Sequence, residues 1–214
     1  MLADKLIESG RVAHVALVGH PGVGKTTVAA AVVKHPDVTA RFEIVRLDGI
    51  SRTPDMTVLY RRAWDDIHGN RKRYPRWLAP PFDPQQHREE IAQLCQSCTL
   101  LLLDDVWTAE DYQHLCLICG EHEHSRVLVT SREKLLLAEM PDNEKAVFTV
   151  PALDFEPARA LLCHHAFAGF PPPTEGEWVS LIKNVVERCE RLPLALTVCT
   201  RKHCIYGQAC SSIQ

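Results

Sequence analysis

The stretch Gly19-His20-Pro21-Gly22-Val23-Gly24-Lys25-Thr26 follows an apolar run and precedes a segment rich in alanine and valine. It satisfies the pattern G-x-x-x-x-G-K-[ST] without a mismatch, and it stands between a predicted strand and a predicted helix, as a phosphate-binding loop requires. Glycines let backbone N–H groups converge on phosphate oxygens, where the start of the helix adds favourable dipole charge. The sequence therefore predicts a P-loop that binds the phosphates of ATP or ADP.

Two side chains of this loop carry chemistry. We expect the ammonium group of Lys25 to contact the β- and γ-phosphates and the hydroxyl of Thr26 to ligate magnesium. The alternative is a glycine-rich turn without a ligand, which the complete pattern in its full context disfavours.

Composition bounds the class of protein. A chain of 214 residues is long enough for one α/β domain and part of a second. Its net charge of −3 gives no general attraction to nucleic acid or to an anionic membrane. Charges interrupt every apolar stretch of the first ten residues, so no signal peptide and no membrane span is expected. The nine cysteines, an odd number, favour reduced thiols in the cytoplasm, with the nucleus as the alternative compartment.

The order of apolar runs predicts the fold. Runs typical of buried strands occur at residues 12–18, 42–47, 99–103, 126–130 and 146–150. Helical patterns lie between them at residues 25–34, 54–67, 84–97 and 109–119, the last with Thr108 as N-cap. This alternation predicts a three-layer α/β domain with a central parallel five-stranded sheet.

After residue 150 the pattern becomes helical, at residues 155–168 and 177–191, and no strand is predicted. We therefore predict a P-loop nucleotide-binding domain at residues 1–150 and a partial helical domain at residues 151–214. Residues 69–83, rich in proline and basic side chains, are expected to form a surface loop.

Two acids follow the apolar residues of the third predicted strand, in the segment Leu100-Leu-Leu-Leu-Asp104-Asp105-Val-Trp107. Because the carboxyl ends of parallel strands meet at one edge of a sheet, here called the carboxyl edge, these acids should emerge beside the P-loop. We expect Asp104 to hold magnesium and Asp105 to position or deprotonate the attacking water. Capping of the next helix by the two acids is the alternative.

Arg132 follows the fourth predicted strand. If that strand lies beside the other two, Arg132 can sense the γ-phosphate and stabilise charge on it. The local sequence favours equally a solvated arginine that begins a helix.

Taken in order, these segments resemble the NB-ARC domain of plant disease-resistance proteins and apoptotic ATPases. The resemblance extends from about residue 12 to about residue 198, and it adds two helical motifs to the P-loop. Residues 153–168 look like the family's helix with spaced Leu, Ala and Phe, and Leu192-Pro-Leu-Ala-Leu196 is similar to its Gly-Leu-Pro-Leu-Ala motif.

The resemblance implies a slow switch, with ADP bound at rest, ATP bound when active, and at most slow ATP hydrolysis. It implies magnesium as a cofactor, other NLR-type proteins as partners, and a helical ARC1 domain after the nucleotide-binding domain. Pro193 is implied near the adenine or ribose, although the residue alone fits the first turn of a helix equally well. The implied nucleotide-binding residues are Gly19, Pro21, Gly22, Val23, Gly24, Lys25, Thr26, Thr27, Arg132 and Pro193. The implied catalytic residues are Asp105 and Arg132, and the implied magnesium ligands are Thr26 and Asp104.

The chain also departs from the family pattern. Arg191 stands where the family usually has glycine, and a bulky side chain there should perturb the backbone. Residues 199–214 lose helical amphipathicity and match nothing in the family, and we expect the ARC2 domain to be absent. We therefore expect a truncated module that binds nucleotide without a complete switching cycle. The alternatives are a P-loop NTPase or kinase with ordinary turnover and a non-switching, ADP-binding interaction protein.

Two further patterns allow other sites. Cys95, Cys98, Cys116 and Cys119 have a spacing found in zinc sites, but a strand and a helix lie between the pairs, so free thiols are favoured and His122 and His124 are expected to be ordinary loop residues. The basic residues 71–73 lie near Tyr74 and Trp77, a combination found in nucleic-acid patches. In a chain of net negative charge we favour a solvated loop.

Overall fold

The computed structural model describes residues 2–7, 14–68, 74–79, 83, 86–87, 90, 98–116, 124–132, 140, 145–167 and 175–202. The chain divides into two compact units. Unit 1 comprises Met1–Gly19 and Lys25–Thr149, and unit 2 comprises His20–Gly24 and Val150–Gln214. The assignment of residues 1–150 and 151–214 to two domains stays a prediction.

Strands and helices alternate through unit 1, and helices follow in unit 2. The strands are β1 (His14–Val18), β2 (Glu43–Leu47), β3 (Thr99–Val106), β4 (Arg126–Ser131) and β5 (Lys145–Thr149). The helices of unit 1 are α1 (Leu2–Ile7), α2 (Lys25–Val33), α3 (Pro36–Arg41), α4 (Met56–His68) and α5 (Ala109–Leu115), with a 3₁₀ turn at Arg76–Leu78. Unit 2 contains α6 (Phe155–Ala166), α7 (Glu177–Arg188) and α8 (Pro193–Lys202).

The sheet of unit 1 has the strand order β2-β3-β4-β1-β5, and every neighbouring pair is parallel. The predicted α/β fold with a central parallel five-stranded sheet is therefore confirmed. Helices cover the sheet, which explains why the inner strands are apolar almost throughout: residues of both faces are buried. The order places the carboxyl ends of β1, β3 and β4 side by side, as the site prediction requires.

One face of the sheet packs against α4 and α5. Alternate strand residues such as Val45, Leu101 and Val127 join Tyr60 of α4 and Tyr112 of α5 in a single buried cluster. Each fully buried aliphatic side chain in such a cluster contributes about 1.5–3 kcal/mol to folding. The 3₁₀ turn adds buried Leu78 to the same cluster, although the sequence predicted only a surface loop there.

Unit 2 has its own core, formed where α6, α7 and α8 meet. Its fully buried side chains include Ala158 of α6, Val186 of α7 and Leu196 of α8. In the described part of unit 2 no strand is present, in agreement with the sequence prediction.

The structure corrects several predicted boundaries. β3 continues through both acids to Val106, whereas the sequence predicted that the strand ends before them. α7 ends at Arg188 rather than at residue 191, because the next residues leave helical geometry. α8 extends to Lys202, into the tail that was expected to lack helical character from residue 199. The helices α1 and α3 were not predicted, and most of the predicted helix at residues 84–97 lies outside the described residues.

Other predicted features are present. Thr108 is the N-cap of α5, where its hydroxyl accepts a hydrogen bond from the backbone N–H of Asp111. Pro193 begins α8, as its first-turn interpretation predicted. None of the helices in the described ranges is long and apolar enough to cross a membrane.

Candidate functional site

Lys25 is held at the start of α2 inside unit 1. Its ammonium group donates a hydrogen bond to the carbonyl of Gly19 at 2.9 Å, and the residue is only 7% exposed. Burial lowers the pKa of Lys25, and so does the charge of Arg132, while Asp105 and Asp104 oppose the change. A phosphate bound beside this buried ammonium group would be a favourable charge partner for it.

Gly22 and Gly24 of the P-loop belong to unit 2 and have backbone angles that need glycine. Gly22 and Gly24 have φ angles of 81° and 102°. A Cβ on Gly22 would lie 3.0 Å from the Cβ of Leu194, whose N–H donates a hydrogen bond to the carbonyl of Gly22 at 3.2 Å. A Cβ on Gly24 would meet nothing within 4 Å, so the space beside this backbone is open. Gly22 therefore permits close packing by the first turn of α8, while Gly24 leaves room for a ligand.

Asp104 is the centre of a hydrogen-bond network in unit 1. The hydroxyl of Thr26 donates to its two carboxylate oxygens at 2.9 and 3.1 Å. The hydroxyl of Thr130 donates to Oδ1 of Asp104 at 2.6 Å. Asp104 is 7% exposed, so this pairing holds a carboxylate in place where water has little access.

The oxygen atoms at this point fit magnesium. A threonine hydroxyl and a carboxylate are hard donors, and Mg²⁺ commonly binds one or two protein ligands together with substrate phosphates and water. Among the described residues no group of three or more His, Cys, Asp or Glu side chains could hold a metal alone. The residues present would thus hold magnesium together with a phosphate ligand.

Asp105 lies at an irregularity of β3. Its φ is 61°, and the register between β3 and β4 shifts between Leu103 and Val106. The N–H of Asp105 donates to the hydroxyl of Thr130 at 2.8 Å, so one threonine contacts both acids. This bulge turns the side chain of Asp105 out of the regular alternation of the strand. A left-handed backbone costs about 1–2 kcal/mol for most residues, though Asp adopts it more readily than most.

Arg132 is paired with Asp105. Its Nε donates to Oδ1 at 3.1 Å and its Nη2 to Oδ2 at 3.4 Å, while the side chains of Arg132 and Asp105 are 40% and 29% exposed. Arg132 also lies over the ring of Trp107 at 4.8 Å, and Arg52 lies over the same ring at 4.5 Å. Unit 1 thus brings the predicted site residues Gly19, Lys25, Thr26, Thr27, Asp104, Asp105 and Arg132 to the carboxyl edge.

The remaining predicted site residues lie in unit 2. Pro21, Gly22, Val23 and Gly24 form the P-loop turn, which is closed by a hydrogen bond from the N–H of Val23 to the carbonyl of His20. Pro193 begins the helix whose next residue contacts Gly22.

Sequence reasoning missed Thr130, Arg52 and Leu194. A threonine at the end of a predicted strand beside the two acids was a usable signal for Thr130. Nothing local distinguishes Arg52 or Leu194 from ordinary surface residues.

The described residues do not bring a zinc site together. Cys98 and Cys116 are free thiols, and burial raises the pKa of Cys116 to about 11. Cys116 lies 3.9 Å from Nδ1 of His14, which also contacts the hydroxyl of Tyr112 at 2.7 Å. Cys95, Cys119 and His122 lie outside the described residues, so their part of the zinc hypothesis stays a prediction.

The basic residues 71–73 also lie outside the described residues. Tyr74, next to them, donates its hydroxyl to Asp65 at 2.8 Å and lies under the guanidinium of Arg61. These contacts within the chain agree with a loop residue that packs on α4.

Comparison with known proteins supports the family assignment that the sequence motifs indicate. A model of the NB-ARC domain family matches residues 1–170. The disease resistance protein ADR1 of Arabidopsis thaliana is 29% identical over 185 residues, covering 84% of this chain and 19% of the relative. The disease resistance protein RPV1 of Vitis rotundifolia is 29% identical over 203 residues, covering 90% of this chain and 13% of the relative. The chain thus spans about a fifth or less of the length of these relatives.

Solved structures share the fold at lower sequence identity. The Walker-type ATPase PABY2304 of Pyrococcus abyssi matches with a TM-score of 0.59 at 13% identity, over 96% of this chain and 67% of its own. PCH-2 of C. elegans matches with a TM-score of 0.57 at 12% identity, over 97% of this chain and 60% of its own.

Proposed function

The chain belongs to the NB-ARC family, and from that premise we propose that it is the ADP- and ATP-binding regulatory module of a plant-type NLR defence-signalling protein. Nucleotide binding follows from the family. The regulatory role is proposed because the curated relatives are disease resistance proteins, of which the chain represents a small part. We place its action in the cytoplasm, with other NLR-type proteins as partners.

The observation that carries the proposal is the pairing of Thr26 with Asp104. These residues come from the P-loop helix and from β3, far apart in the sequence, and their oxygens lie 2.9 and 3.1 Å apart. The same two residue types hold magnesium in P-loop NTPases, and Thr26 and Asp104 would hold it here. A helix cap by Asp104, the alternative from the sequence, is not supported, since its carboxylate accepts from two threonines instead.

The residue roles that we propose are those that the P-loop pattern and the family resemblance imply. The backbone N–H groups of residues 19–27 bind phosphate oxygens, Lys25 neutralises the β- and γ-phosphates, and Thr26 and Asp104 hold magnesium. Arg132 binds the γ-phosphate, and Pro193 lies near the adenine or ribose. Magnesium, when bound, neutralises charge on the phosphates.

Slow hydrolysis agrees with the position of Asp105. Both of its carboxylate oxygens accept hydrogen bonds from Arg132. Arg132 therefore competes with an attacking water for the carboxylate of Asp105. We propose at most slow ATP hydrolysis, as the family resemblance implies of a switch, with an NTPase or kinase of ordinary turnover as the alternative.

The first experiment identifies the bound nucleotide. The purified chain is denatured, the released nucleotide is identified by chromatography, and calorimetric titration with ADP and ATP in the presence of magnesium follows. We expect ADP to copurify or to bind. Lys25→Ala should lose this nucleotide and the thermal stabilisation that it provides. The absence of binding heat and of a copurifying nucleotide in a well-folded protein contradicts the proposal.

Two kinetic measurements separate the other candidate functions. Steady-state phosphate release well above about one per minute favours an ordinary NTPase, because typical enzymes turn over at about 10 per second. A bound ADP that does not exchange with added ATP favours the non-switching interaction protein.

A further inference from the structure

Two arginines share one aromatic ring at the carboxyl edge of unit 1. The guanidinium carbons of Arg52 and Arg132 lie 4.5 and 4.8 Å from the centroid of Trp107. Arg52 follows β2, Trp107 follows β3 and Arg132 follows β4, and these strands are neighbours in the sheet. The topology therefore builds this stack from three separate segments of the chain.

Arg132 uses different parts of its side chain for its two partners. Its N–H groups point at the carboxylate of Asp105, whereas its carbon centre lies over the indole of Trp107. A planar guanidinium stacks through its face and forms hydrogen bonds through its rim. Its N–H groups can therefore exchange a carboxylate for a phosphate while the ring contact is kept.

The second arginine changes the charge balance of the stack. Two like charges over one ring repel each other, and water screens this repulsion only in part at such short range. ATP carries a γ-phosphate that ADP lacks. A γ-phosphate near Arg132 would relieve this repulsion, so ATP relieves it more than ADP does.

We propose that Trp107 is a positioning residue that holds Arg132 at the carboxyl edge, and that Arg52, the second cation on the same ring, increases the preference of the site for ATP over ADP. This inference rests on the proposed nucleotide-binding function. It assigns roles to Trp107, which lies against Arg132, and to Arg52, which lies against Trp107. Trp107 acts through Arg132 and is not itself a catalytic residue.

The test of Trp107 is a double-mutant cycle. The dissociation constants of ATP and ADP are measured with magnesium for the whole 214-residue chain, and their ratio is compared between variants. Trp107→Leu should lower the preference for ATP about two- to fivefold, the size of an exposed cation–π contact, whereas Trp107→Phe should keep most of it. In an Arg132→Gln background Trp107→Leu should have no further effect. A purely structural role of the ring predicts the same loss in both backgrounds, which overturns the proposal.

The test of Arg52 uses a matched control. Arg52→Gln should lower the preference for ATP about twofold, with a larger effect at low salt, because an exposed charge is strongly screened. Arg41 lies over the ring of Phe42 at 5.9 Å and precedes β2, so Arg41→Gln removes a comparable pair away from the carboxyl edge. This control should leave the ratio unchanged.

The outcomes are distinguishable from those of the proposed function. If the wild-type chain binds neither nucleotide, the proposed function fails and the inference fails with it. If the wild type binds but Trp107→Leu and Arg52→Gln leave the ratio unchanged, the inference alone is overturned. If Trp107→Leu does not fold, the ATP/ADP ratio of Arg52→Gln, compared with that of Arg41→Gln, still tests the inference, because Arg52 is exposed.

Discussion

Among the described residues, two places hold residues other than glycine at positive φ, and they do so by different means. In unit 1, Asp105 has a φ of 61°. In unit 2, Glu190 and Arg191 have φ angles of 50° and 56° in the turn after α7. Such a backbone costs about 1–2 kcal/mol per residue for most side chains and less for Asp, so its cost is greater at the second place.

Side chains hold the first place. The N–H of Asp105 is bound by the hydroxyl of Thr130, and its carboxylate is bound by Arg132. This strained backbone conformation places the carboxylate of Asp105 next to the sensor Arg132.

Main-chain bonds hold the second place. The N–H of Arg191 donates to the carbonyl of Val186 at 3.1 Å, and the carbonyl of Arg191 accepts from Leu153 at 3.3 Å. This is a helix-terminating turn of the kind that usually contains glycine. The exposed side chain of Arg191 makes no hydrogen bond or ion pair with the described residues. The expected perturbation at Arg191 therefore takes the form of a positive φ in an otherwise intact turn.

The comparison indicates that a strained backbone points to a functional site when side chains, rather than main-chain bonds, hold it. At Asp105 the geometry would be lost without its partners, which indicates function. At Arg191 the geometry is that of a common turn, and the side chain is incidental.

The largest expected effect comes from breaking the network beneath Asp105. Asp104→Ala removes the acceptor of the hydroxyls of Thr26 and Thr130, and leaving the buried hydroxyl of Thr130 without an acceptor costs about 1–3 kcal/mol. We expect the free energy of unfolding to fall by about 2 kcal/mol in urea titrations. Magnesium-dependent ATP affinity should fall more than about tenfold. Arg191→Ala is the control, and an equal loss of stability there would contradict the distinction between the two places.

A second prediction compares a partly buried thiol in each unit at alkaline pH. In unit 1, the pKa of Cys116 rises from 9.0 in the unfolded chain to about 11 in the folded protein. The folded state binds this proton more tightly, so the stability that it contributes is complete below pH 9 and is lost as pH rises toward 11. Because the pKa rises by about two units, the free energy of unfolding should be lower by about 2.5 kcal/mol at pH 11 than at neutral pH.

Two cysteine variants test this prediction by urea titration across that pH range. Cys116→Ala should flatten the loss between pH 9 and 11 even if its stability at neutral pH is lower. Cys189 precedes the strained turn of unit 2, and its pKa is also raised, chiefly by partial burial. Cys189→Ala should change the pH dependence of stability less, since this thiol is less buried. An equal change in the two variants would contradict the predicted difference between the two thiols.

Replacement of Asp105 by glycine separates backbone strain from side-chain function. Glycine adopts the positive φ without strain, but it leaves Arg132 without its carboxylate partner. We expect the free energy of unfolding to stay within about 1 kcal/mol, because the lost ion pair is partly exposed and worth at most about that much. The preference for ATP over ADP should rise about threefold, since the guanidinium no longer exchanges a carboxylate for phosphate. Calorimetric titration measures this ratio, and an unchanged ratio would show that the ion pair does not restrain the sensor.

The smallest effect is expected at the turn of unit 2. Arg191→Gly relieves the left-handed strain, although glycine also gives the unfolded chain more freedom. The net result should be a gain of about 0.5 kcal/mol, seen as a rise of a few degrees or less in Tm. Nucleotide affinities should remain as in the wild type. A loss of stability would show that the side chain of Arg191 stabilises the fold, contrary to the interpretation given above.

The sequence by itself determined the class of fold and the centre of the site. Its P-loop is contiguous, so the spacing of Gly19, Lys25 and Thr26 was readable without any tertiary information. Buried strands must be apolar, and the apolar runs located the starts of all five strands to within two residues. Thr108 and Pro193 were readable because capping and first-turn preferences are local.

The tertiary structure alone decided which distant residues meet. The register of β3 and β4 places Thr130 between two acids, and the bulge at Asp105 aims that carboxylate at Arg132. The neighbouring order of β2, β3 and β4 brings Arg52 to the ring of Trp107. The end of α7 and the length of α8 were likewise decided by packing and turn formation rather than by helix periodicity. These pairings depend on sheet order and register, which are set by the burial of whole surfaces and leave no signal at the individual positions.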